Sequence, residues 1–173
     1  MKNKLTLFVA VIAIALLGTG CASTKNEPPV PHAVKWNGHW YAIMPDKVTW
    51  ERAYERCKNL GGQLVIIESR EEQDFIIQLT DERGNPSSHL WIGATDKNNE
   101  GEYQWHDGRF LSETFSNWYG DWSIGKANAI AGPHETSDYV AINIKHVDKN
   151  RQTKWDLWSK ETKHTFVCEW EKP

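Results

Sequence analysis

The sequence predicts an α+β domain: two helices near its start, strands through the rest, and a long polar loop before the last strands. Three observations support that class. Apolar residues first recur at spacings of three and four, then mostly alternate at a spacing of two. The helical stretches precede most of the strand-like ones instead of alternating with them, which predicts helices packed on antiparallel sheets and not a doubly wound fold. No internal repeat or second boundary interrupts residues 34–173, so they read as one domain.

Taken in order, the segment from Trp36 to Ile43 opens on Asn37-Gly38 turn chemistry and continues as an aromatic, β-branched strand. Trp50, Ala53, Tyr54, Cys57 and Leu60 then fall on one helical face, with Thr49 placed to cap the start and Gly61 to end it. That spacing points Cys57 into the core. Gln63 to Glu68 reads as a short buried strand. Ser69-Arg70-Glu71-Glu72 is a capping box that opens a second helix with Phe75, Ile76 and Leu79 inside. Strands follow at Leu90–Asp96 and Tyr103–Trp105, the latter turning at Asp107-Gly108. A polar loop, residues 117–137, leads into Tyr139–Ile144. The chain then passes Lys154–Trp158 and closes on Phe166–Trp170.

Residues 1–20 are not part of this domain. Lys2 and Lys4 precede an apolar run from Leu5 to Leu17, the length of a signal-peptide core and short of a membrane span of about 20 residues. Gly18-Thr19-Gly20 and Cys21 follow, an order that resembles a bacterial lipoprotein signal, with Gly18 where leucine is usual. The resemblance implies that Cys21 is lipidated, and Ala22 after it implies the outer membrane. Residues 21–33, with Pro28, Pro29 and Pro31, read as a semi-extended tether.

Charge and reactive groups narrow the function. The chain carries 20 basic and 23 acidic residues, so overall charge gives no basis for nucleic-acid binding. The seven histidines have no zinc-protease spacing, and Ser123 lacks the glycine that a nucleophile elbow places two residues before the serine. With no nucleophile–base constellation and no glycine-rich phosphate cradle, the sequence predicts no enzyme. Ten tryptophans instead suggest core packing plus a recognition surface.

Over residues 34–171 the chain resembles the C-type lectin-like domain family. The resemblance rests on Trp40-Tyr41, the Trp50–Leu60 helix with Gly61-Gly62-Gln63-Leu64, and the Ser69–Leu79 helix. It continues through Trp91-Ile92-Gly93, Glu100-Gly101 to Trp105-His106-Asp107-Gly108, Asn117-Trp118 and Phe166-Val167-Cys168-Glu169. It implies a Cys57–Cys168 disulfide, while Tyr139 stands where a second, loop disulfide would begin. It also implies calcium as the one candidate cofactor, since sugar sites of this family bridge protein carboxylates to sugar hydroxyls through that ion.

The usual Glu-Pro-Asn half of that site is missing. Gly132-Pro133-His134 aligns in one register and Lys126-Ala127-Asn128 in another, leaving Asn128 and His134 as candidates. The Trp-Asn-Asp half reads Trp155-Asp156-Leu157, so Asp156 alone remains. A separate structural calcium position matches Asp96 and Glu100, with Glu135 and Asp138 as the nearest further carboxylates. Trp118 and Trp155 match positions the family buries, whereas Trp122 and Trp158 match none and are the candidate recognition tryptophans.

These readings predict a non-catalytic, envelope-anchored binding lipoprotein that recognises a carbohydrate or another surface ligand without the standard calcium-bridged sugar site. Its partners are then a glycan or an envelope or cell-surface protein. The alternatives are a protein–protein interaction or adhesion module with no sugar binding, and a calcium-dependent lectin.

Overall fold

The computed structural model describes residues 27–83, 87–119, 137–145 and 148–171. Strand β1 (Val34–Trp36) turns at Asn37 and Gly38 into β2 (His39–Val48). Both turn residues have positive φ, 46° and 94°, the conformation of a two-residue hairpin whose twist matches its strands. Helix α1 (Trp50–Asn59) buries Trp50, Ala53 and Cys57. Its end is a Schellman motif: Gly61, at φ 74°, donates to the Lys58 carbonyl and Gly62 to that of Cys57. The Thr49 hydroxyl does not cap α1; only its carbonyl takes part, accepting from the Ala53 N–H.

Helix α2 (Arg70–Glu82) starts as its sequence predicts, with the Glu72 N–H donating to Ser69 Oγ at 3.1 Å. The remaining strands are β3 (Gln63–Leu64), β4 (His89–Thr95), β5 (Gln104–Trp105), β6 (Tyr139–Asn143), β7 (Trp155–Trp158) and β8 (His164–Trp170). Only Gln63 and Leu64 of the expected 63–68 strand pair as strand. Val65, Ile66 and Ile67 are nevertheless buried, and Gly93 explains the close fit there. A Cβ at Gly93 would lie 2.8 Å from the Leu64 carbonyl oxygen, so nothing larger fits without displacing backbone.

The sheet runs β1-β2-β8-β4-β6-β7, with β3 on β8 and β5 on β4. It is mixed and not purely antiparallel: β4 and β8 are parallel at Leu90↔Thr165 and Trp91↔Phe166. The closing strand pairs antiparallel with β2 and is inserted beside β4, which runs in its own direction. Alternation along β6 and β7 divides the core. Val140, Ile142, Trp155 and Leu157 pack with Ile76 and Leu79 of α2, whereas Tyr139, Ala141 and Trp158 face the layer under α1.

Two buried carboxylates join α2 to the terminal strands. The Tyr41 hydroxyl donates to Glu72 Oε1 at 2.8 Å and reaches Glu169 Oε1 at 3.4 Å. The other Glu72 oxygen accepts from the Glu68 N–H, and Glu169 also takes His39 Nδ1, the Gln63 amide and the Ile66 N–H.

The expected Cys57–Cys168 disulfide is not formed in this structure. Both residues are free, buried thiols, brought together by α1 and β8 so that Cys57 hydrogen-bonds Cys168. Burial and the neighbouring sulfur hold the Cys57 thiol far above its ordinary pKa, in the protonated form.

Candidate functional site

The carboxylates near the end of β4 are held by turns. Asp96 follows β4 and is buried; its N–H donates to the Asp138 carbonyl at 3.1 Å, placing the residue before β6 beside it. Asp96 Oδ2 accepts from the Gly101 N–H at 2.9 Å, while Oδ1 is buried without a hydrogen-bond partner. Burial raises the Asp96 carboxyl above the usual range, opposed by the Gly101 N–H and the Tyr103 phenol and assisted by the charges of Glu100 and Asp138. Burial and these acids also raise the Tyr103 hydroxyl.

Calcium needs six to eight oxygens. Asp96 offers one orphaned oxygen, Glu100 is exposed, and no three histidine, cysteine, aspartate or glutamate side chains converge among the described residues. The described residues therefore do not build a calcium cage at this position, and Glu135 lies outside them.

Asp156 sits elsewhere, opposite Ala141 of β6. Its Oδ2 accepts from Asn143 Nδ2 and from Arg151 Nη2, the latter at 3.2 Å. The one acid kept from the sugar-site triplets is thus already paired with a cation, and does not fit a calcium-bridged role. Arg151 comes from the turn before β7, and its guanidinium lies 4.7 Å over the Tyr119 ring. Tyr119 arrives because Asn117 and Tyr119 bond the Trp155 backbone on the far side of β7. Asn143 Oδ1 and Arg151 Nε are both buried without partners.

Two residues along the same face of β7, Trp158 is half-buried, with a buried Nε1 that has no partner. Its ring meets His89 edge-on at 4.5 Å and His164 at 4.8 Å; His89 and His164 stack at 4.7 Å, and Trp91 closes the group at 4.6 Å from His164. His164 Nε2 is a further buried atom without a partner. Burial, His89 and Lys47 push the His164 imidazole down to about 3, so it stays neutral at ordinary pH.

The structure thus brings Trp158 and Asp156 onto one face and keeps them apart from the Asp96–Glu100–Asp138 group. Trp122, Asn128, His134, Glu135 and Cys21 lie outside the described residues. Trp155 is fully buried, donating to Gln73 Oε1 at 2.7 Å, and Trp118 packs edge-on against it, the core roles the resemblance implied. The sequence reading missed Asn143, Arg151, His89 and His164. Asn143 carried a signal, as a polar residue on a core-facing position of an apolar strand; Arg151, in a turn of charged residues, carried none.

The family profile of the lectin C-type domain matches residues 46–170. Over 93 residues the chain is 38% identical to C-type lectin domain family 4 member M of Hylobates lar, covering 54% of this chain and 22% of that protein. The chain therefore spans about a fifth of that relative's length. Its fold superposes on the mouse scavenger receptor C-type lectin carbohydrate-recognition domain with a TM-score of 0.64 and 26% identity, covering 83% of this chain and 96% of that one. It also superposes on the cow C-type carbohydrate-recognition domain of CD23, a structure obtained in the presence of a GlcNAc2Man3 oligosaccharide, with a TM-score of 0.63, 26% identity and coverage of 83% and 96%. On the profile match and on this architecture, the chain belongs to the C-type lectin domain family.

Proposed function

We propose that this protein is a non-catalytic, lipid-anchored binding protein that recognises carbohydrate through the β6–β7 face without a calcium bridge. The observation that carries the reading is the state of Asp156, which binds Arg151 where the family's sugar sites hold a metal. Likeness to two carbohydrate-recognition domains supports the ligand class. The order of Lys2, Lys4, Leu5–Leu17 and Cys21 supports an anchor on lipidated Cys21 in a bacterial envelope, facing a glycan or an envelope protein.

A glycan array run with calcium and with EDTA tests the ligand. The reading expects binding that EDTA leaves intact; binding that EDTA abolishes overturns it, and no glycan signal in either buffer transfers the role to a protein partner. Cys21→Ser should release the protein from membranes or leave it unprocessed, so unchanged membrane partition rules out the anchor. In an oxidising compartment the two facing thiols, Cys57 and Cys168, are proposed to pass two protons and two electrons to an exchanging disulfide, which leaves as its dithiol while the Cys57–Cys168 bond forms. Thiol labelling of the exported protein before and after reduction reads that directly.

A further inference from the structure

We propose that Arg70, Lys154 and Asn117 form a binding site for a phosphate group, where the start of α2 meets the start of β7. The site is separate from the Asp156–Trp158 face and does not depend on carbohydrate being bound there.

Three parts of the chain converge on one oxygen. Arg70 opens α2, Asn117 begins the polar loop and Lys154 directly precedes β7. Arg70 Nη2 donates to Asn117 Oδ1 at 3.2 Å, and Lys154 Nζ donates to the same oxygen at 2.8 Å. The two cationic nitrogens therefore lie no further apart than those two bonds laid end to end. Asn117 is buried, and its amide is fixed in orientation because Nδ2 donates to the Thr153 carbonyl at 2.9 Å. That carbonyl also accepts from Gln73 Nε2 of α2 at 3.0 Å. Thr153 holds it there with φ at 67°, a conformation that a β-branched residue rarely adopts. The Arg70 guanidinium lies 5.3 Å over the Phe115 ring, which supports it from a fourth direction.

What this convergence lacks is an anion. Arg52, Arg56, Arg109 and Arg151 each pair with a carboxylate. Among the described residues, Arg70 and Lys154 pair with none, although Glu71 and Asp74 stand exposed on the same helix as Arg70. The neutral amide oxygen offsets neither charge, and two like charges held this close repel each other. Arg70 is exposed and Lys154 half-buried, so both can meet a ligand arriving from solvent. A guanidinium offers parallel donors to two oxygens, and an ammonium offers a point charge to a third. A phosphate monoester brings three acceptor oxygens and a charge of about −1.5 to −2 at neutral pH, which matches two cations. A carboxylate brings two oxygens and a single charge.

The test is a ¹⁵N–¹H titration of the full exported chain at neutral pH, in EDTA and at constant ionic strength, with inorganic phosphate, glycerol 3-phosphate and acetate. The expected result is saturable movement of the Arg70 Nε–H and Asn117 Nδ2–H resonances with both phosphates, and acetate binding at least about fivefold weaker. Tighter binding of glycerol 3-phosphate assigns the site to a phosphate carried on a larger molecule, and equal affinity assigns it to the free ion. Arg70→Gln and Lys154→Gln each remove one charge and should each weaken binding at least about fivefold, while Arg52→Gln on α1 should leave it unchanged. Melting temperatures show whether the variants fold. Resonances that stay in place or move without saturating overturn the site. So does acetate that matches phosphate, or a folded Arg70→Gln or Lys154→Gln variant at wild-type affinity. None of these outcomes bears on sugar binding, which the glycan array reads separately.

Discussion

Tyr41, Glu72 and Glu169 form one buried polar cluster, between α2 and the terminal strands; Asn143, Arg151 and Asp156 form another, at the outer end of β6 and β7. In the first, each oxygen of both carboxylates has a partner from the chain itself: the Tyr41 hydroxyl and the Glu68 N–H for Glu72, and His39 Nδ1, the Gln63 amide and the Ile66 N–H for Glu169. In the second, Asp156 is satisfied while Asn143 Oδ1, Arg151 Nε, Trp158 Nε1 and His164 Nε2 are not. Burial costs both clusters the same loss of water. The first repays that loss within the fold and therefore holds the fold together. The second leaves part of it unpaid, so its polar atoms gain by meeting something else.

Removing a member of the closed cluster should have the largest effect. Glu169→Ala removes the acceptor of the buried Ile66 N–H and the partner of His39 Nδ1, while Tyr41 keeps Glu72 and Gln63 keeps Glu171, and should lower stability by about 2–3 kcal/mol in denaturant unfolding. A loss under about 1 kcal/mol would show that the cluster does not hold the terminal strands.

Changing pH separates the clusters next. Burial raises the Glu72 carboxyl to about 7 from an ordinary 4.5, assisted by the charges of Glu169 and Glu68 and opposed by the Glu68 N–H and the Tyr41 hydroxyl. The folded state therefore binds this proton more tightly than the unfolded chain does. That stability is complete below pH 4.5 and is lost as pH rises through 7. His164 behaves oppositely: its imidazole is pushed down to about 3 from 6.5, so its contribution is complete above 6.5 and is lost as pH falls toward 3. Thermal melts between pH 4 and 8 should show Glu72→Gln flattening the limb at higher pH alone, and His164→Phe the acid limb alone. Identical pH profiles for wild type and both variants would contradict the assignment.

Arg151→Ala breaks the one ion pair of the open cluster at a partly exposed guanidinium, and should cost only about 1 kcal/mol by the same denaturant measurement. The smallest effect belongs to His164→Phe at neutral pH. Replacing an unpartnered imidazole by a ring of similar shape should leave stability within about 1 kcal/mol of wild type, or raise it. A loss above about 3 kcal/mol would mean that the imidazole is satisfied by a partner that its burial hides.

The helices were legible because periodic burial and local chemistry decide them: Ser69 caps α2 with its own hydroxyl, and Gly61 ends α1 with its own positive φ. Core tryptophans were legible for a related reason, since Trp155 sits on a strand parity with Leu157. The parallel β4–β8 pairing was not, because strand direction depends on which neighbours a strand joins, and no short-range pattern in Leu90 or Thr165 records that. The proposed binding face was half legible. Asp156 and Trp158 stood out as a residual acid and an unassigned aromatic, but their meaning depended on Arg151, which reaches Asp156 only through the conformation of the turn that carries it. A residue that is correct only in three dimensions has no signature among charged neighbours such as Lys149 and Lys154.

Register along β8 has a consequence for how the molecule is displayed. Val48 lies opposite His164 and Trp40 opposite Trp170, while β1 joins β2 at His39–Tyr41, so the chain enters the sheet at the end where β8 finishes. His164, His89 and Asn143 mark the other end, a strand length away, or about 20 Å over the seven residues of β8. On the proposed anchor at Cys21, the segment that precedes β1 would hold the domain at its base and turn the His89–Asn143–His164 end outward. On that proposal residues 21–33 would set reach and the sheet aim, so lengthening them would change how far this end extends from a surface without turning it away.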